Sequence, residues 1–289
     1  MKHIFIINPT AGKQDSRQRI YDMAKELREK HELDVQCILT KKQGHATEIA
    51  RKLCEEGGEL RFYACGGDGT ANEVANGILG FDNAAMTMVP VGTGNDLLKN
   101  FGDDLEKFRD VENLWDGPVF PMDVIEVNGR YALTIACSGI DARVAADVHK
   151  YSESPLLDGK SSYIVSLLVN FLFKGIGSHW KVEMDGEEME GDWSLVSVCN
   201  GRYYGGGFMP VAEARMDDGV LNTLVVQKVT RRAFIRFVGP YSKGEYYKFP
   251  HLAQCYTPKV VRITSEKPDI VTCLDGETFQ GSEVTIRLA

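Results

Sequence analysis

Paired cysteines, long apolar runs and an excess of positive charge are all missing from this chain of 289 residues. Its seven cysteines include no Cys-x-x-Cys pair and are odd in number, which argues against a disulfide framework and a cysteine-ligated zinc site. No stretch reaches the roughly 18 apolar residues of a spanning helix. The best, residues 163–176, is interrupted by Ser166, Asn170 and Lys174. With 33 Lys+Arg against 41 Asp+Glu, the net charge of −8 disfavours nucleic acid as a partner. We expect a soluble protein of a reducing, intracellular compartment.

The first 100 residues alternate between strand-like and helix-like patterns. Short apolar runs typical of buried strands lie at residues 4–7, 33–39, 60–65 and 86–91. Apolar residues at helical spacing lie between them: Ile20, Met23, Ala24 and Leu27, then Ile49, Ala50, Leu53 and Cys54, then Val74 and Ile78. Strands and helices in alternation, joined by short links, predict a parallel sheet covered on both faces. We therefore expect an α/β domain over residues 1–120.

After about residue 118 the pattern changes to strands that are joined by turn pairs. Runs at residues 122–127 and 130–136 flank Asn128-Gly129, the strongest short signal for a hairpin. Further strand-like runs lie at residues 181–184, 193–200, 220–227, 259–264, 270–274 and 283–288. Two helices are predicted among them, one around residues 164–172 and one over 231–238 that Thr230 would cap. The pattern predicts an antiparallel, β-sandwich-like domain over residues 121–289.

Three glycine-containing loops lie where predicted strands of the first domain end. They are Asn8-Pro9-Thr10-Ala11-Gly12-Lys13, Gly66-Gly67-Asp68-Gly69-Thr70 and Pro90-Val91-Gly92-Thr93-Gly94-Asn95-Asp96. A strand–loop–helix junction offers backbone N–H groups and the positive end of a helix dipole, which suit a phosphate. Loops at the carboxyl ends of neighbouring parallel strands meet in one crevice. One such loop is most often only a tight turn, but three at successive strand ends favour a phosphate site.

Two familiar phosphate-binding motifs are excluded because the residues that they require at fixed positions are absent. A P-loop requires Ser or Thr after its Gly-Lys pair, whereas the pair at residues 12–13 is followed by Gln14. A dinucleotide fingerprint would need glycine where Asn72 and Leu97 stand. The three loops therefore belong to a different class of phosphate site.

As a set, the loops resemble the nucleotide-binding motifs of the diacylglycerol kinase catalytic-domain family. That family includes soluble bacterial diacylglycerol kinases, sphingosine kinases and ceramide kinase. The likeness continues through Asn72-Glu73, Pro210-Val211-Ala212, Asp217-Asp218-Gly219 and Asp275-Gly276-Glu277, and so spans nearly the whole chain. The Gly-Gly-Asp-Gly-Thr loop alone is shared with NAD kinases. The resemblance implies an NAD kinase/diacylglycerol kinase-like α/β domain, a β-rich lipid-substrate domain, and an active-site cleft between them.

The resemblance also implies which residues bind the nucleotide and the metal. ATP would contact Asn8, Pro9, Thr10, Ala11, Gly12, Thr40, Gly66, Gly67, Asp68, Gly69, Thr70, Asn72, Glu73, Gly92, Thr93 and Asn95. Catalytic Mg²⁺ would be held by Asp68 and Asp96. A structural Mg²⁺ would be held by the Asp218 carboxylate and the backbone carbonyls of Arg215 and Val220. The general base is drawn from Glu277, which we favour, Asp275 or Asp68, and the choice stays open.

These implications predict an Mg²⁺- and ATP-dependent lipid kinase that phosphorylates a hydroxyl of a diacylglycerol-like lipid. An NAD kinase-like enzyme is the first alternative, disfavoured by the lipid-kinase motifs after residue 200. A non-catalytic, nucleotide-gated lipid-binding protein is the second, and the intact acidic residues Asp68, Asp96, Asp218 and Glu277 argue against it. The sequence does not identify the lipid, and it leaves open whether the protein is a monomer or a homodimer.

A basic and aromatic segment points to the membrane. Residues 228–248 contain six basic residues and one acidic residue, a local charge of +5 in a chain of −8. Such a patch suits transient contact with anionic lipid, although a solvated helix face over a hydrophobic core fits the pattern equally well. We expect a cytoplasmic protein, peripheral to the inner face of the membrane. The apolar stripe of Ile164, Leu167, Leu168, Phe171 and Leu172 is interpreted as core rather than as a membrane contact.

Overall fold

The computed structural model describes residues 1–12, 15–92, 94–152 and 175–289. Within it the chain forms two compact units, unit 1 from Met1 to Pro121 and unit 2 from Met122 to Ala289. The predicted helix at residues 164–172, with its apolar stripe, and the loop residues Lys13 and Thr93 lie outside the described residues.

Unit 1 is built on a four-stranded parallel sheet. Its strands are β1 (Lys2–Ile7), β2 (Asp34–Leu39), β3 (Leu60–Gly66) and β4 (Ala84–Pro90), in the order β2-β1-β3-β4. Every residue of β3 is buried, as are residues 3–7 of β1. Strands covered on both faces bury consecutive side chains rather than alternate ones, which is why their sequences read as unbroken apolar runs. The predicted α/β domain is confirmed.

The helices of unit 1 follow the predicted periodicities. They are α1 (Arg17–His31), α2 (His45–Glu56), α3 (Asp68–Ile78) and the single turn α4 (Asp96–Lys99), with 3₁₀ segments at Gly102–Arg109 and Val111–Asn113. Their buried residues recur every three or four positions: Ile20, Ala24 and Leu27 in α1, Ala46, Ala50 and Cys54 in α2, and Thr70, Ala71, Val74, Ala75 and Gly77 in α3. Each of β1, β3 and β4 ends at one of the three glycine loops.

Unit 2 is an antiparallel sheet of 11 strands with helices beside it. The strands are β5 (Ile125–Val127), β6 (Arg130–Ala132), β7 (Ile135–Gly139), β8 (Ser178–Met184), β9 (Glu187–Cys199), β10 (Asn222–Gln227), β11 (Ala253–Tyr256), β12 (Val260–Thr264), β13 (Ile270–Leu274), β14 (Glu277–Gly281) and β15 (Glu283–Leu288). Their order is β14-β13-β7-β9-β8-β12-β15-β5-β6, with β10 paired to β9 and β11 to β10. The helices are α5 (Ile140–Ser152) and α6 (Arg231–Tyr241), with a 3₁₀ turn at Tyr246–Lys248. The predicted antiparallel β domain is confirmed.

Among the described residues of unit 2, two hydrophobic clusters form the core, and the strands supply both. In β10, Leu224 and Val226 join the cluster that also contains Phe234 and Phe237 of α6, whereas Val225 joins the other cluster. Successive side chains of a strand point to opposite faces, so one strand serves two cores. The sheet is therefore apolar on both faces, and α6 covers part of one of them.

The turn residues of unit 2 behave as the sequence predicts. The pairs Asn128-Gly129, Asp185-Gly186 and Asp275-Gly276 all have positive φ and connect β5 to β6, β8 to β9 and β13 to β14. Positive φ at both central residues is the signature of the two-residue hairpin turn that matches strand twist. Thr230 also caps α6 as predicted, since its Oγ1 accepts a hydrogen bond from the Ala233 amide at 3.3 Å.

One predicted strand is wrong, because residues 130–136 do not form a continuous strand. β6 ends at Ala132 and β7 begins at Ile135. At the break, the amides of Leu133 and Thr134 donate to the carboxylate of Asp275, at 2.5 and 3.0 Å. The carboxylate replaces a neighbouring strand as the acceptor. Local alternation cannot reveal an acceptor that lies about 140 residues further along the chain.

A buried carboxylate lies in the α6-side cluster of unit 2. Asp141 is 7% exposed, and its Oδ2 accepts hydrogen bonds from the hydroxyls of Tyr204, at 2.5 Å, and Tyr241, at 2.6 Å. Burial raises the pKa of Asp141, and the two tyrosine hydroxyls oppose that shift without cancelling it. An acid whose pKa is raised on folding favours the folded state most when it is protonated.

The stability of the protein should therefore depend on pH through Asp141. Replacing Asp141 by Asn keeps an oxygen that accepts both tyrosine hydroxyls but removes the ionisation. The stability of wild type relative to Asp141→Asn should be greatest below about pH 4, the ordinary pKa of aspartate, and should fall as the pH rises through the raised pKa. Urea denaturation of both proteins between pH 4 and pH 8 measures this difference. Parallel stability–pH curves would show that Asp141 is not the titrating group.

Candidate functional site

The loop after β1 is organised by the side chain of Asn8. Asn8 Oδ1 accepts hydrogen bonds from the amide and the hydroxyl of Thr10, at 3.0 and 2.8 Å. Asn8 Nδ2 donates to Thr70 Oγ1 at 3.2 Å, and the Asn8 amide donates to the Cys65 carbonyl at 3.0 Å. One side chain thus shapes residues 8–12 and joins them to the first turn of α3. Asn8, Pro9, Thr10, Ala11 and Gly12 are all brought to this place, as predicted from their position after the first strand.

The loops after β3 and β4 are joined through glycine backbone. The amides of Val91 and Gly92 both donate to the Gly66 carbonyl, at 3.1 and 3.2 Å. A Cβ added at Gly92 would lie 2.7 Å from the Gly67 Cα, and one at Gly66 would lie 2.2 Å from Thr70 Oγ1. No larger residue fits at either position without moving the backbone. Gly92 is therefore needed for the close approach of the two loops, whereas Gly66 leaves room for the Thr70 side chain in the first turn of α3.

Asp68 connects the same two loops through its side chain. Its Oδ1 accepts a hydrogen bond from the Leu97 amide at 3.0 Å, and a Cβ added at Gly94 would lie 3.1 Å from its Oδ2. Asp68 is the first residue of α3 and Leu97 lies in α4. The carboxylate is thus held at the helix end where the dipole is positive. All three glycine loops meet around residues 66–70.

One feature of these loops fits a bound phosphate group, and a second fits a hydrogen-bond donor. The first-turn amides of an α-helix have no carbonyl four residues earlier in the helix to donate to. In α3 the Thr70 amide donates instead to the Gly67 carbonyl at 3.0 Å, and the preceding amide of this turn belongs to Gly69. Asn95, which has φ 50° and directly precedes α4, has a buried Oδ1 with no hydrogen-bond partner among the described residues. Buried polar atoms are normally satisfied, so this one indicates a missing ligand group or water. The amides suit a phosphate, whereas Asn95 Oδ1 suits a hydroxyl, an amino group or a water, because an ionised phosphate oxygen carries no hydrogen to donate.

Other predicted nucleotide-contact residues have structural contacts of their own. Glu73 accepts from the amides of Gly44, at 2.9 Å, and Ala46, at 3.1 Å, and thereby caps α2. Asn72 Oδ1 accepts from Asn76 Nδ2 at 3.0 Å, within α3. The Thr40 amide donates to the Ile7 carbonyl at 2.9 Å, which places Thr40 beside the end of β1. Glu73 and Asn72 therefore stabilise helices around the loops.

Replacing Gly92 by Ala tests the approach of the two loops. The added methyl group would press on Gly67 and also lie 3.3 Å from Asn95 Oδ1. We expect the free energy of unfolding to fall by about 1–3 kcal/mol, as for other overpacked sites. Chemical denaturation measures the loss, with Gly69→Ala as the matched control because a Cβ there has no neighbour within 4 Å. Equal stability of the two variants would contradict the close approach.

Asp96 differs from Asp68 in its partner. It is 7% exposed, and Lys99 Nζ donates to its Oδ1 at 2.5 Å. Because Lys99 already neutralises the buried Asp96 carboxylate, a metal cation could bind Asp96 only if the ion pair with Lys99 were broken. The pair with Lys99 makes Asp96 the weaker of the two candidate metal ligands in unit 1.

The second predicted metal position is a turn of unit 2. Asp218 is exposed, and its Oδ1 accepts from the Val220 amide at 3.1 Å. Arg215, whose carbonyl was predicted as a ligand, directs its guanidinium to Asp217 at 3.1 Å. In residues 1–12, 15–92, 94–152 and 175–289, no group of three or more His, Cys, Asp or Glu side chains gathers as metal ligands. Mg²⁺ commonly takes only one or two carboxylate ligands from a protein and keeps several of its waters. This turn can supply that number of carboxylates.

Asp123 is a site residue that the sequence analysis missed. Its Oδ2 accepts from the Gly219 amide at 2.7 Å, and its own amide donates to the Met216 carbonyl at 2.7 Å. Asp123 and Asp218 are thus two carboxylates attached to one turn. The available signal was an acidic residue inside the apolar run at 122–127, which was interpreted only as a strand.

Asp275 and Glu277 occupy different environments although they are two residues apart. The Asp275 carboxylate accepts from the amides of Leu133, Thr134 and Ile135 and from the Thr134 hydroxyl, over 2.5 to 3.1 Å. Glu277 is exposed and begins β14. Asp275 thus has the contacts of a structural residue, whereas Glu277 is exposed to solvent.

Asn200 links the turn near Asp275 to Asp123. Its Nδ2 donates to the carbonyls of Asp123 and Leu133, both at 2.7 Å. Its amide donates to the Thr134 carbonyl at 2.9 Å, and its side chain is fully buried. The segments that carry Asp123 and Asp275 are therefore held in register by a single asparagine, which no sequence motif singled out.

These features define a two-domain protein. Its parallel α/β unit carries three connected glycine loops at the N-terminus of a helix, and its antiparallel β unit carries an acidic turn. Residues 2–127 match the diacylglycerol kinase catalytic domain, and residues 134–288 match the YegS C-terminal NAD kinase beta sandwich-like domain. The chain belongs to the diacylglycerol kinase family, as the glycine loops and acidic motifs predict.

Individual relatives agree with this assignment over most of the chain. A diacylglycerol kinase of Bacillus subtilis (strain 168) is 28% identical over 276 residues, covering 94% of this chain and 88% of its own. A diacylglycerol kinase of Staphylococcus carnosus (strain TM300) is 26% identical over 246 residues, covering 85% and 79%. A crystal structure of a Bacillus anthracis str. Sterne protein shares the fold with a TM-score of 0.77 at 24% identity, covering 100% of this chain and 94% of the other.

Proposed function

We propose that this protein is an ATP-dependent lipid kinase that transfers the γ-phosphate of ATP to a hydroxyl of a diacylglycerol-like lipid. The observation that carries the proposal is the meeting of three glycine loops around Asp68 at the N-terminus of α3. Family membership and the names of the two bacterial relatives support the choice of a lipid acceptor. The proposed nucleotide loops belong to unit 1, and the proposed base and acidic turn belong to unit 2.

The residues of unit 1 bind and orient the triphosphate. Amides at the start of α3 donate to phosphate oxygens, and the helix dipole favours their negative charge. Asn95 Oδ1, the buried acceptor without a partner in the described chain, takes a hydrogen bond from a hydroxyl or amino group of the nucleotide, since ionised phosphate oxygens carry no hydrogen. Transition-state charge is thus stabilised by fixed dipoles that do not reorganise during the reaction.

The acidic residues of unit 1 would hold the catalytic Mg²⁺, which would neutralise phosphate charge, and those of unit 2 would hold a structural Mg²⁺. Asp68 is the proposed ligand in unit 1, with Asp96 the weaker candidate because of its pair with Lys99. In unit 2 the proposed ligands are the Asp218 carboxylate and the carbonyls of Arg215 and Val220, and Asp123 fixes the turn that bears them. One carboxylate with carbonyls and waters suits the preference of Mg²⁺ for hard oxygen ligands.

Glu277 is the proposed general base. It is exposed, so a lipid hydroxyl can reach its carboxylate within hydrogen-bond distance and transfer a proton to it. Asp275 is assigned the supporting role of holding residues 133–135, since four donors already surround its carboxylate. Asp68 is assigned to the metal.

The acceptor is tested by a labelled-phosphate screen. The protein is incubated with γ-labelled ATP and Mg²⁺, and with diacylglycerol, monoacylglycerol, sphingosine, ceramide or undecaprenol in mixed micelles, or with NAD⁺. We expect label in phosphatidic acid or another lipid phosphate. Label in NADP⁺ would support the NAD kinase-like alternative, in accord with the description of the second domain. ATP binding without any transfer would support the nucleotide-gated lipid-binding alternative.

The proposed metal in unit 2 is tested by thermal unfolding. Asp218→Asn keeps the acceptor for the Val220 amide and removes the charge, so Mg²⁺ should no longer raise the melting temperature as it does in wild type. Asp217→Asn is the matched control, because Asp217 lies in the same turn and pairs with Arg215. An Mg²⁺-induced shift that survives in Asp218→Asn would contradict the assignment.

A further inference from the structure

Helix α6 has one buried face and one basic face. Phe234, Phe237 and Tyr241 are buried in the core of unit 2. Arg232, Ile235 and Arg236 are exposed, and Ile235 is 63% exposed. At about 100° per residue these three side chains lie within one sector of the helix, opposite the buried aromatic residues. We call Arg232, Ile235 and Arg236 the outer face of α6.

The basic residues near α6 fall into two groups. Lys228 pairs with Asp192 at 2.9 Å and Lys248 with Glu245 at 2.8 Å, so their charges are compensated within the protein. Arg232 and Arg236 make no ion pair with any residue that the structure describes. Their charge is therefore directed to solvent, in a chain whose net charge is −8.

We propose that the outer face of α6 is a docking surface for an anionic lipid bilayer. The guanidinium groups bind lipid phosphates, while Ile235 and the arginine stems enter the interfacial region. The charge complementarity is confined to the outer face of α6, because the net charge of the chain is −8 and an anionic bilayer repels negative charge. This proposal rests on the proposed function, because docking on a bilayer would bring a lipid kinase to its substrate.

The size of the outer face favours a membrane over a protein partner. A stable protein interface buries at least about 1,000 Å², and a single exposed isoleucine between two arginines is far smaller. Weak and reversible binding to a surface requires much less, since each basic residue at an anionic surface strengthens binding about 5-fold. No helix among the described residues is long and apolar enough to cross a bilayer.

Vesicle binding tests the outer face directly. The full-length protein is sedimented with vesicles of phosphatidylcholine alone or with about a third phosphatidylglycerol. Wild type should bind only the anionic vesicles, and less at high salt. The double variant Arg232→Gln, Arg236→Gln should bind about 30-fold more weakly, near the product of two 5-fold effects. Ile235→Asn should also weaken binding, but with unchanged salt dependence.

The matched control separates a docking surface from a general effect of charge. Lys259 and Lys267 are exposed basic residues of unit 2 outside α6, and the double variant Lys259→Gln, Lys267→Gln changes the net charge equally. It should bind as wild type does. Equal loss in both double variants, or no loss in the arginine variant, overturns the proposal. So does absence of wild-type binding, or a change of oligomeric state in Ile235→Asn measured by sedimentation velocity, which would show that a second copy covers this face.

Failure of the proposed function is distinguishable from failure of the docking surface. Phosphorylation of a short-chain, water-soluble diacylglycerol should be unchanged in the arginine variant, because that substrate needs no membrane. If wild type binds anionic vesicles through α6 but phosphorylates no lipid, the docking surface stands and the kinase assignment falls. If it phosphorylates the soluble substrate and the arginine variant still binds vesicles normally, only the docking surface falls.

Discussion

Replacing Asp68 by Asn is expected to lower phosphoryl transfer on the order of 10³-fold, the effect typical of losing one electrostatic group that acts on the transition state. The substitution is nearly isosteric, and the Asn oxygen can accept from the Leu97 amide as the carboxylate does. The fold of the loops should therefore survive while the charge beside the phosphates is lost. A labelled-phosphate assay at saturating ATP measures the rate.

The control for Asp68→Asn is Asp82→Asn, since Asp82 is exposed and lies before β4, at the opposite end of the strands from the loops. It should keep wild-type activity. Both variants should unfold at the wild-type temperature, which distinguishes lost chemistry from lost structure. Activity of Asp68→Asn within a few-fold of wild type would remove Asp68 from the catalytic site.

Glu277→Gln and Asp275→Asn should have opposite consequences. Glu277 is exposed, so Glu277→Gln should leave stability unchanged and lower the rate about 10²–10⁴-fold, the usual contribution of a general base. Asp275→Asn replaces one of two accepting oxygens by an NH₂ group that faces backbone donors. We expect Asp275→Asn to lower the free energy of unfolding by about 3 kcal/mol. That is the cost of removing a charged acceptor from backbone amides that then lack a partner.

Chemical denaturation and the transfer assay, applied to both variants, give this comparison. Thr278→Ser, the next side chain along β14 from Glu277, is a conservative control that should change neither quantity. A destabilised Glu277→Gln together with a stable and inactive Asp275→Asn would exchange the two roles.

The sequence predicts the elements of unit 1 well because their signals are local. Ile20, Ala24 and Leu27 repeat at the helical period in the chain and are buried in the helix. The turn pair Asn128-Gly129 is equally local, since its residues tolerate positive φ wherever they occur. Elements of this kind need no knowledge of distant residues.

The contacts that connect the candidate site are not local, and the sequence could not give them. Glu73 belongs to a motif of the resemblance, yet its carboxylate caps α2, whose amides lie 27 and 29 residues earlier. Asn200 joins Leu133 to Asp123 across separations of 67 and 77 residues. Both roles depend on which strands become neighbours. A motif therefore predicts which residues lie near the candidate site. Only the folded structure shows which of them are used in structural hydrogen bonds.

The same distinction applies to the basic segment at residues 228–248. Its charge and aromatic content are visible in the sequence, but its composition does not say which side chains face outward. Burial assigns Phe234 and Phe237 to the core and leaves Ile235 exposed between arginines. Three of the five aromatic residues in this segment, Phe234, Phe237 and Tyr241, thus stabilise the fold, and a smaller surface remains for lipid.

The most direct measurement of the central claim is a competition for the γ-phosphate. Wild type is incubated with γ-labelled ATP, Mg²⁺ and equal concentrations of diacylglycerol in mixed micelles and NAD⁺, with Asp68→Asn as the blank. The proposed function predicts label in phosphatidic acid, none in NADP⁺, and almost none in any product with the variant. Label in NADP⁺, or label released only as inorganic phosphate at the same rate with and without lipid, would contradict it.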